Sequence, residues 1–159
     1  MANQESSMKR VKILIGVVSC HKYAKRREAC QETWANLKHR DNVDLVFILG
    51  SGRSPWPVRE GCLLHCPCPD DYGSLSLKTR WLCLWAITNY NFDFLFKCDD
   101  DTYVHIDRLL GCDTLGDHVG CEIAGHIYGH ASGGGGYRLT RNAAIHVGPF
   151  LSESVSYDE

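Results

Sequence analysis

The chain has 159 residues, enough for one domain with little room for two. Hydrophobic residues make up 44% of it and charged residues 23%, the balance of an ordinary globular protein. Seventeen Lys and Arg against nineteen Asp and Glu give a formal net charge of −2, which argues against a nucleic-acid partner held by a basic field; the apolar runs fall far short of the roughly 18 residues of a membrane span.

The elements follow in chain order. Val11–Ser19 is a continuous β-branched run, the pattern of a strand buried on both faces. Lys9, Arg10 and Lys12 ahead of Ile13–Cys20 also resemble a lipoprotein leader, but the segment continues into a matching helix, which favours the strand. That helix is predicted over Tyr23–Leu37, with Ala24, Ala29, Trp34 and Leu37 apolar. Val43–Leu49 is a second buried strand, closed by the breaker cluster Gly50-Ser51-Gly52. Residues 53–73, rich in Pro, Gly and Cys, read as a long loop. Leu75–Asn89 reads as a helix carrying Leu77, Trp81, Leu84, Trp85 and Ile87. Phe92–Lys97 is a third apolar strand, running directly into Cys98-Asp99-Asp100-Asp101. His105–Leu110 predicts a short helix, Ile123–Ile127 a strand, Gly133–Gly136 a flexible tetraglycine, and Arg141–Val147 a last helix after Tyr137-Arg138-Leu139-Thr140.

Strand–helix–strand alternation predicts βαβ units and an α/β fold with a mostly parallel sheet flanked by helices. Ligands of such sheets bind beyond the carboxyl ends of the strands. Ser19-Cys20-His21, Gly50-Ser51-Gly52 and the three aspartates should therefore share the working edge.

The aspartates carry the chemistry. If the backbone stays extended, Asp99 and Asp101 point to the same side. Two neighbouring carboxylates repel each other, and a divalent cation relieves the repulsion; hard oxygen donors suit Mg²⁺ or Mn²⁺, especially with a diphosphate completing the shell. An acidic turn that simply ends a strand is the alternative. The nine cysteines offer another chemistry: Cys62, Cys66 and Cys68 with His65 hold potential zinc ligands, although the spacing is not a paired CxxC. Thiols inside apolar runs, such as Cys83 and Cys98, read as small hydrophobes. The tetraglycine lacks the Gly-Lys-Ser/Thr of a phosphate loop and points to close backbone approach or to a linker.

Five blocks together resemble the β-1,3-galactosyltransferases and their Fringe-like relatives. Arg26-Arg27 through Thr33-Trp34 is similar to an "R-R-x-x-x-R-x-T-W" helix, with Gln31 at the third arginine. Phe47-Ile48-Leu49-Gly50 resembles the following strand. Asp71–Thr79 resembles "D-x-Y-x-N-L-T-L-K-T", Phe96–Val104 "K-x-D-D-D-x-F/Y-V", and Ser132–Ala144 "S-G-G-G-Y-x-L-S-x-x-A-A". The blocks occur in family order over nearly the whole chain.

This resemblance implies a GT-A fold with a Rossmann-like sheet over residues 11–159, behind a tail at 1–10 and with the C-terminal part of the family pattern missing. It implies an inverting hexosyltransferase that moves galactose or N-acetylglucosamine from a UDP-sugar to a hydroxyl of a glycan or glycoprotein acceptor, with Mn²⁺ or Mg²⁺ as cofactor. Asp99 and Asp101 match the metal motif, and Asp100 is placed near the ribose or sugar. Arg26, Arg27 and Lys78 match basic positions of the nucleotide pocket, and Ser19 sits on its edge. Gly134, Gly135 and Tyr137 belong to the block that lines the donor and acceptor region. The catalytic base falls on Asp158 or Glu159, where an acidic "E-D-V" motif begins. Two alternatives are a relative that binds nucleotide sugar without turnover and a thiol or zinc interaction module. With no anchor or leader in the sequence the chain reads as cytoplasmic; because the family is anchored in the Golgi, a lumenal fragment is the alternative.

Overall fold

The computed structural model describes residues 8–111, 123–125 and 134–150. Seven strands form one sheet. They are β1 (Lys9–Val18), β2 (Val43–Gly50), β3 (Val58–Glu60), β4 (Leu63–Cys66), β5 (Tyr90–Asp99), β6 (Ile123–Gly125) and β7 (Tyr137–Thr140), in the spatial order β3-β4-β2-β1-β5-β7-β6. The central four, β4-β2-β1-β5, run parallel. The flanking β3, β7 and β6 pair antiparallel with their neighbours. This is the expected α/β fold, and β1 begins two residues inside the stretch read as a tail.

Helices cover both faces. Ile13, Ile15 and Val17 of β1 with Leu45 and Phe47 of β2 face one layer, closed by Cys30 of α1 (Ala24–Glu32), Trp34, and Ile106 of α3 (Ile106–Gly111). Leu14 and Val18 with Val46 and Ile48 face the other, under Leu82, Cys83, Trp85 and Ala86 of α2 (Leu75–Asn89) and Ala143 and Ala144 of α4 (Arg141–Val147). Burial on both sides explains why β1 and β2 are continuous apolar runs rather than alternating ones.

Two expectations need correction. The segment 53–73 is not a loop throughout: it holds the hairpin β3–β4, turned at Gly61 (φ 60°). β4 is fixed by parallel pairing with β2 and by burial of Leu64 and Cys66, and the polar edge strand β3 is tied down by Arg59, which reaches Asp44 of β2 at 2.9 and 3.1 Å. Secondly, α1 covers only Ala24–Glu32, after a short 3-10 turn at His21–Tyr23. The Thr33 hydroxyl takes the Ala29 carbonyl at 2.6 Å, and the Ala35 N–H reaches back to Cys30 at 2.8 Å, so the helix unwinds and Trp34 drops into the core. Tyr137–Thr140, given no element by the sequence reading, is a strand, pairing with β5 from Lys97↔Tyr137 to Phe94↔Thr140. Of the strand expected at Ile123–Ile127, Ile123–Gly125 is present; residues 126–127 and Gly133 lie outside the described residues.

Among the described residues, no helix is long and apolar enough to cross a membrane.

Candidate functional site

A cleft of about 230 Å³ opens beyond the carboxyl ends of β1 and β5, the edge where α/β sheets hold ligands. Its walls come from the turn after β1 (Ser19, Cys20, Lys22, Tyr23), Arg26 on α1, the entry to α2 (Asp70 to Tyr72, Leu75, Lys78) and the acidic end of β5 (Asp99 to Asp101).

The three aspartates do different things. β5 ends at Asp99 and the chain turns at once, the Thr102 N–H bonding the Asp99 carbonyl at 3.2 Å. The extended backbone expected to put Asp99 and Asp101 on one side therefore stops at Asp99. The Asp99 carboxylate accepts from Lys97 Nζ at 2.8 Å through Oδ1. Its Oδ2 lies 3.7 Å from where a β-carbon on Gly134 would sit, so the backbone turn at Gly134–Gly135 stands close beside it. Asp100 points inward and is buried, accepting from the Ser19 hydroxyl at 2.7 Å and from Arg26 at 3.1 Å. Asp101 faces out with 64% of its side chain exposed, and meets Arg26 at 3.4 Å.

Cationic groups line the same cleft. Arg26 also lies over the Tyr23 ring, 4.2 Å from its centroid, and Lys22 is 5.0 Å from the same ring. Asp100 raises the Arg26 guanidinium above its already high ordinary value. Arg27 sits behind the wall, donating to the Ser19 hydroxyl at 3.0 Å and to the Cys20 carbonyl. Lys78 forms the floor at 1% exposure, donating to the Ser19 carbonyl and to Asp70, both at 2.8 Å. Ser19, Arg26, Lys78 and Asp99 to Asp101 thus line one cleft.

Other expected residues stand elsewhere. Tyr137 does not line the cleft: it packs against the α2 core layer and hydrogen-bonds Thr79, and burial pushes its hydroxyl up to about 12. Strand alternation explains this, because Tyr137 opens β7 on the α2 side of the sheet. Gly134 stands beside Asp99 and Thr102, whose hydroxyl bonds the Gly134 carbonyl at 2.5 Å, and neither Gly134 nor Gly135 lines the cleft. Asp158 and Glu159 lie outside the described residues.

The zinc alternative finds no geometry. Cys62 packs on the α1 side of the sheet, whereas Cys66 and Cys68 are buried on the α2 side. Burial pushes the Cys68 thiol up to about 11 and Cys66 higher still. Among the described residues no three His, Cys, Asp or Glu side chains converge as a metal cage. A cation at Asp99 and Asp101 would accordingly draw the rest of its shell from its ligand.

Sequence reasoning missed Asp70, Lys22 and Tyr23. Lys22 and Tyr23 fall in the turn immediately after the Ser19–His21 edge, one step beyond the stretch singled out. Asp70 had a sharper signal. In the D-x-Y spacing the aspartate stands two residues before Tyr72, which is Asp70; Asp71 instead accepts the Ser74 N–H at 2.9 Å and starts the turn into α2.

Comparison with known proteins adds a family match. The profile of the galactosyltransferase family matches residues 25–144. A hydroxyproline O-galactosyltransferase of Arabidopsis thaliana is 27% identical over 109 residues, covering 62% of this chain and 16% of the relative. A beta-1,3-galactosyltransferase of the same plant is 29% identical over 115 residues, covering 66% and 18%. Beta-1,3-galactosyltransferase 6 of Mus musculus is 28% identical over 107 residues, covering 59% and 33%. The chain therefore spans a third or less of the length of each of these relatives.

Proposed function

The chain belongs to the galactosyltransferase family, and from that premise we propose that it binds a UDP-sugar with a divalent cation and passes the hexose, with inversion, to a hydroxyl of a glycan acceptor. Glycosyl transfer is the family's chemistry; the donor, cation and acceptor are our reading. One observation carries it: the strand-end cleft brings the acidic turn Asp99–Asp101 together with the cations Lys22 and Arg26. A diphosphate bridging a cation has charge complementary to both kinds of group.

The residues present fit a hard cation. Asp101 is exposed, and Asp99 keeps Oδ2 on the side of the Gly134–Gly135 turn. Both offer oxygen donors of the type Mn²⁺ and Mg²⁺ prefer, while Asp100 is engaged by Ser19 and Arg26. We assign Asp99 and Asp101 as the residues that would hold it. When bound, such a cation supplies Lewis-acid neutralisation of charge on a departing diphosphate.

The rest is done by the chain. Arg26 and Lys22 draw the polyanion into the cleft and fix its orientation. Asp100, locked by Ser19 and Arg26, makes a rigid wall for the ribose and sugar end of the donor. The acceptor proton is assigned to a carboxylate at Asp158 or Glu159, general-base help worth roughly 10²–10⁴ in rate.

UDP with Mn²⁺ should raise the melting temperature, because a ligand specific to the native state stabilises it by mass action, about 2.7 kcal/mol at a hundredfold excess over Kd. Asp101→Asn should abolish most of that shift without unfolding the chain, since it removes an exposed charge and relieves carboxylate repulsion. No shift in the unmodified chain at saturating UDP and Mn²⁺ would defeat the reading. Screening UDP-galactose, UDP-N-acetylglucosamine and UDP-glucose for turnover then separates a transferase from a relative that binds only.

A further inference from the structure

We infer that Asp70 is a positioning residue of this site, acting through Lys78 and Ser19 to hold the Asp100–Arg26 wall in place, and that Lys78 therefore works on the protein rather than directly on the donor's phosphates. The inference rests on the donor-site reading above and deepens it.

Asp70 ties three segments of the cleft together. Its Oδ2 accepts the His21 N–H at 2.6 Å, from the turn after β1. Its Oδ1 accepts the Gly50 N–H at 2.8 Å, at the end of β2, and Lys78 Nζ at 2.8 Å, on α2. Burial alone would raise its pKa; Lys78 and the two N–H groups outweigh this and hold the carboxyl below its ordinary range. Gly50 is part of the device. A β-carbon there would stand 2.2 Å from the Pro69 carbonyl oxygen and 2.7 Å from the Asp70 nitrogen. Only glycine lets the Pro69–Asp70 backbone press close enough for the carboxylate to reach all three donors.

The contacts then run on in sequence. The Lys78 ammonium, held by Asp70, donates to the Ser19 carbonyl at 2.8 Å. The Ser19 hydroxyl donates to Asp100 at 2.7 Å while accepting from Arg27 at 3.0 Å. Asp100 in turn holds Arg26 at 3.1 Å. With 1% of Lys78 exposed and its ammonium directed at two protein oxygens, its charge is balanced by Asp70 and reaches the cleft through the orientation of Ser19. Partners of this indirect kind commonly change ligand affinity or activity by 10–100-fold when removed.

The test is a double-mutant cycle on the chain, read by calorimetric titration with UDP and Mn²⁺ and by melting temperature. Asp70→Asn keeps the shape and one acceptor; Lys78→Met keeps the apolar stem. Each should weaken UDP binding by roughly tenfold or more. The pair together should cost about as much as either alone, because the two residues act as one unit. Replacing both also leaves the net charge of the cleft unchanged, so lost affinity reports geometry. Exchanging a buried ion pair for uncharged groups of similar size is often neutral for stability, so the double variant keeps the test open where a single variant fails to fold. Losses that simply add would place Lys78 on the donor itself and overturn the inference. So would a double variant that binds UDP as the unmodified chain does, whatever its melting temperature. Absence of UDP binding by the unmodified chain would instead defeat the donor-site reading.

Discussion

Asp44, at the opposite end of the sheet from the cleft, is the sharpest place to test the energetics of this fold. It lies on β2 with 12% of its side chain exposed. It accepts from Lys9 Nζ at 2.6 Å, from Arg59 at 2.9 and 3.1 Å, and from the Tyr90 hydroxyl at 2.8 Å. Replacing it by alanine strands a partly buried guanidinium and a buried phenol. Breaking a buried pair costs about 3–5 kcal/mol, and because Arg59 regains some water we take about 3 kcal/mol. For a chain of this size that corresponds to a melting temperature lower by roughly 6–12 °C. The pH dependence has a definite sign. Burial would raise the Asp44 carboxyl, but Arg59, Lys9 and Tyr90 more than reverse this and hold it well below the ordinary range. Its contribution is therefore complete above the unfolded value of about 3.9 and is lost as pH falls through the folded value. Thermal melts of both proteins at pH 7 and at successively lower pH should show a large gap that closes below about pH 4. Asp44 stands six residues from Gly50 along β2, roughly 20 Å at strand spacing, so UDP affinity of the folded variant should not change. A fall of less than about 2 °C at pH 7, or a gap that widens in acid, would refute the reasoning.

Two further outcomes are expected. Arg26→Gln removes the cation that meets both Asp100 and Asp101; UDP binding should weaken by roughly tenfold and lose part of its salt dependence, and titration at two ionic strengths showing no change would count against a polyanion in this cleft. Gly136→Ala puts a β-carbon 2.5 Å from Phe96 Cζ in a backbone of φ 90°. It should cost about 1–3 kcal/mol by overpacking, and a melting temperature equal to that of the unmodified chain would show that β7 does not sit against β5 as described.

How much of this was legible varied with the range of the forces involved. The strands β1, β2 and β5 and the helix α2 were readable because long apolar runs and helical spacing are local signals. The hairpin β3–β4 was not: Val58-Arg59-Glu60 has no apolar pattern of its own, and it is held by its ladder with β4 and by the ion pair of Arg59 with Asp44, 15 residues away. The end of α1 depended on the Thr33 hydroxyl taking an Ala29 carbonyl, a choice invisible in helix propensity. In the site, the acidic turn was evident from residue type and position, and Arg26 from the family motif. The inward turn of Asp100 was not, since it follows from Ser19, 81 residues earlier. Tyr137 was drawn into the site by its motif neighbours, and the two-residue alternation of β7 takes it out again.

The sheet order has a consequence for how the molecule comes together. The longest ladder, β1 with β5, joins Lys9 to Tyr90 at one end and Val18 to Asp99 at the other. Parallel pairing at such sequence separation carries a large loop-closure cost and is slow to nucleate. The bond from Ser19 to Asp100 is the next rung beyond that ladder, so the cleft exists only once its two most distant walls have zipped together. Intermediates that hold the early β1–α1–β2 unit alone possess Arg26 and Lys22 but no acidic turn. Nucleotide affinity should accordingly appear during refolding only in the slowest phase, with the completed sheet, and serve as a clock for the last step of assembly.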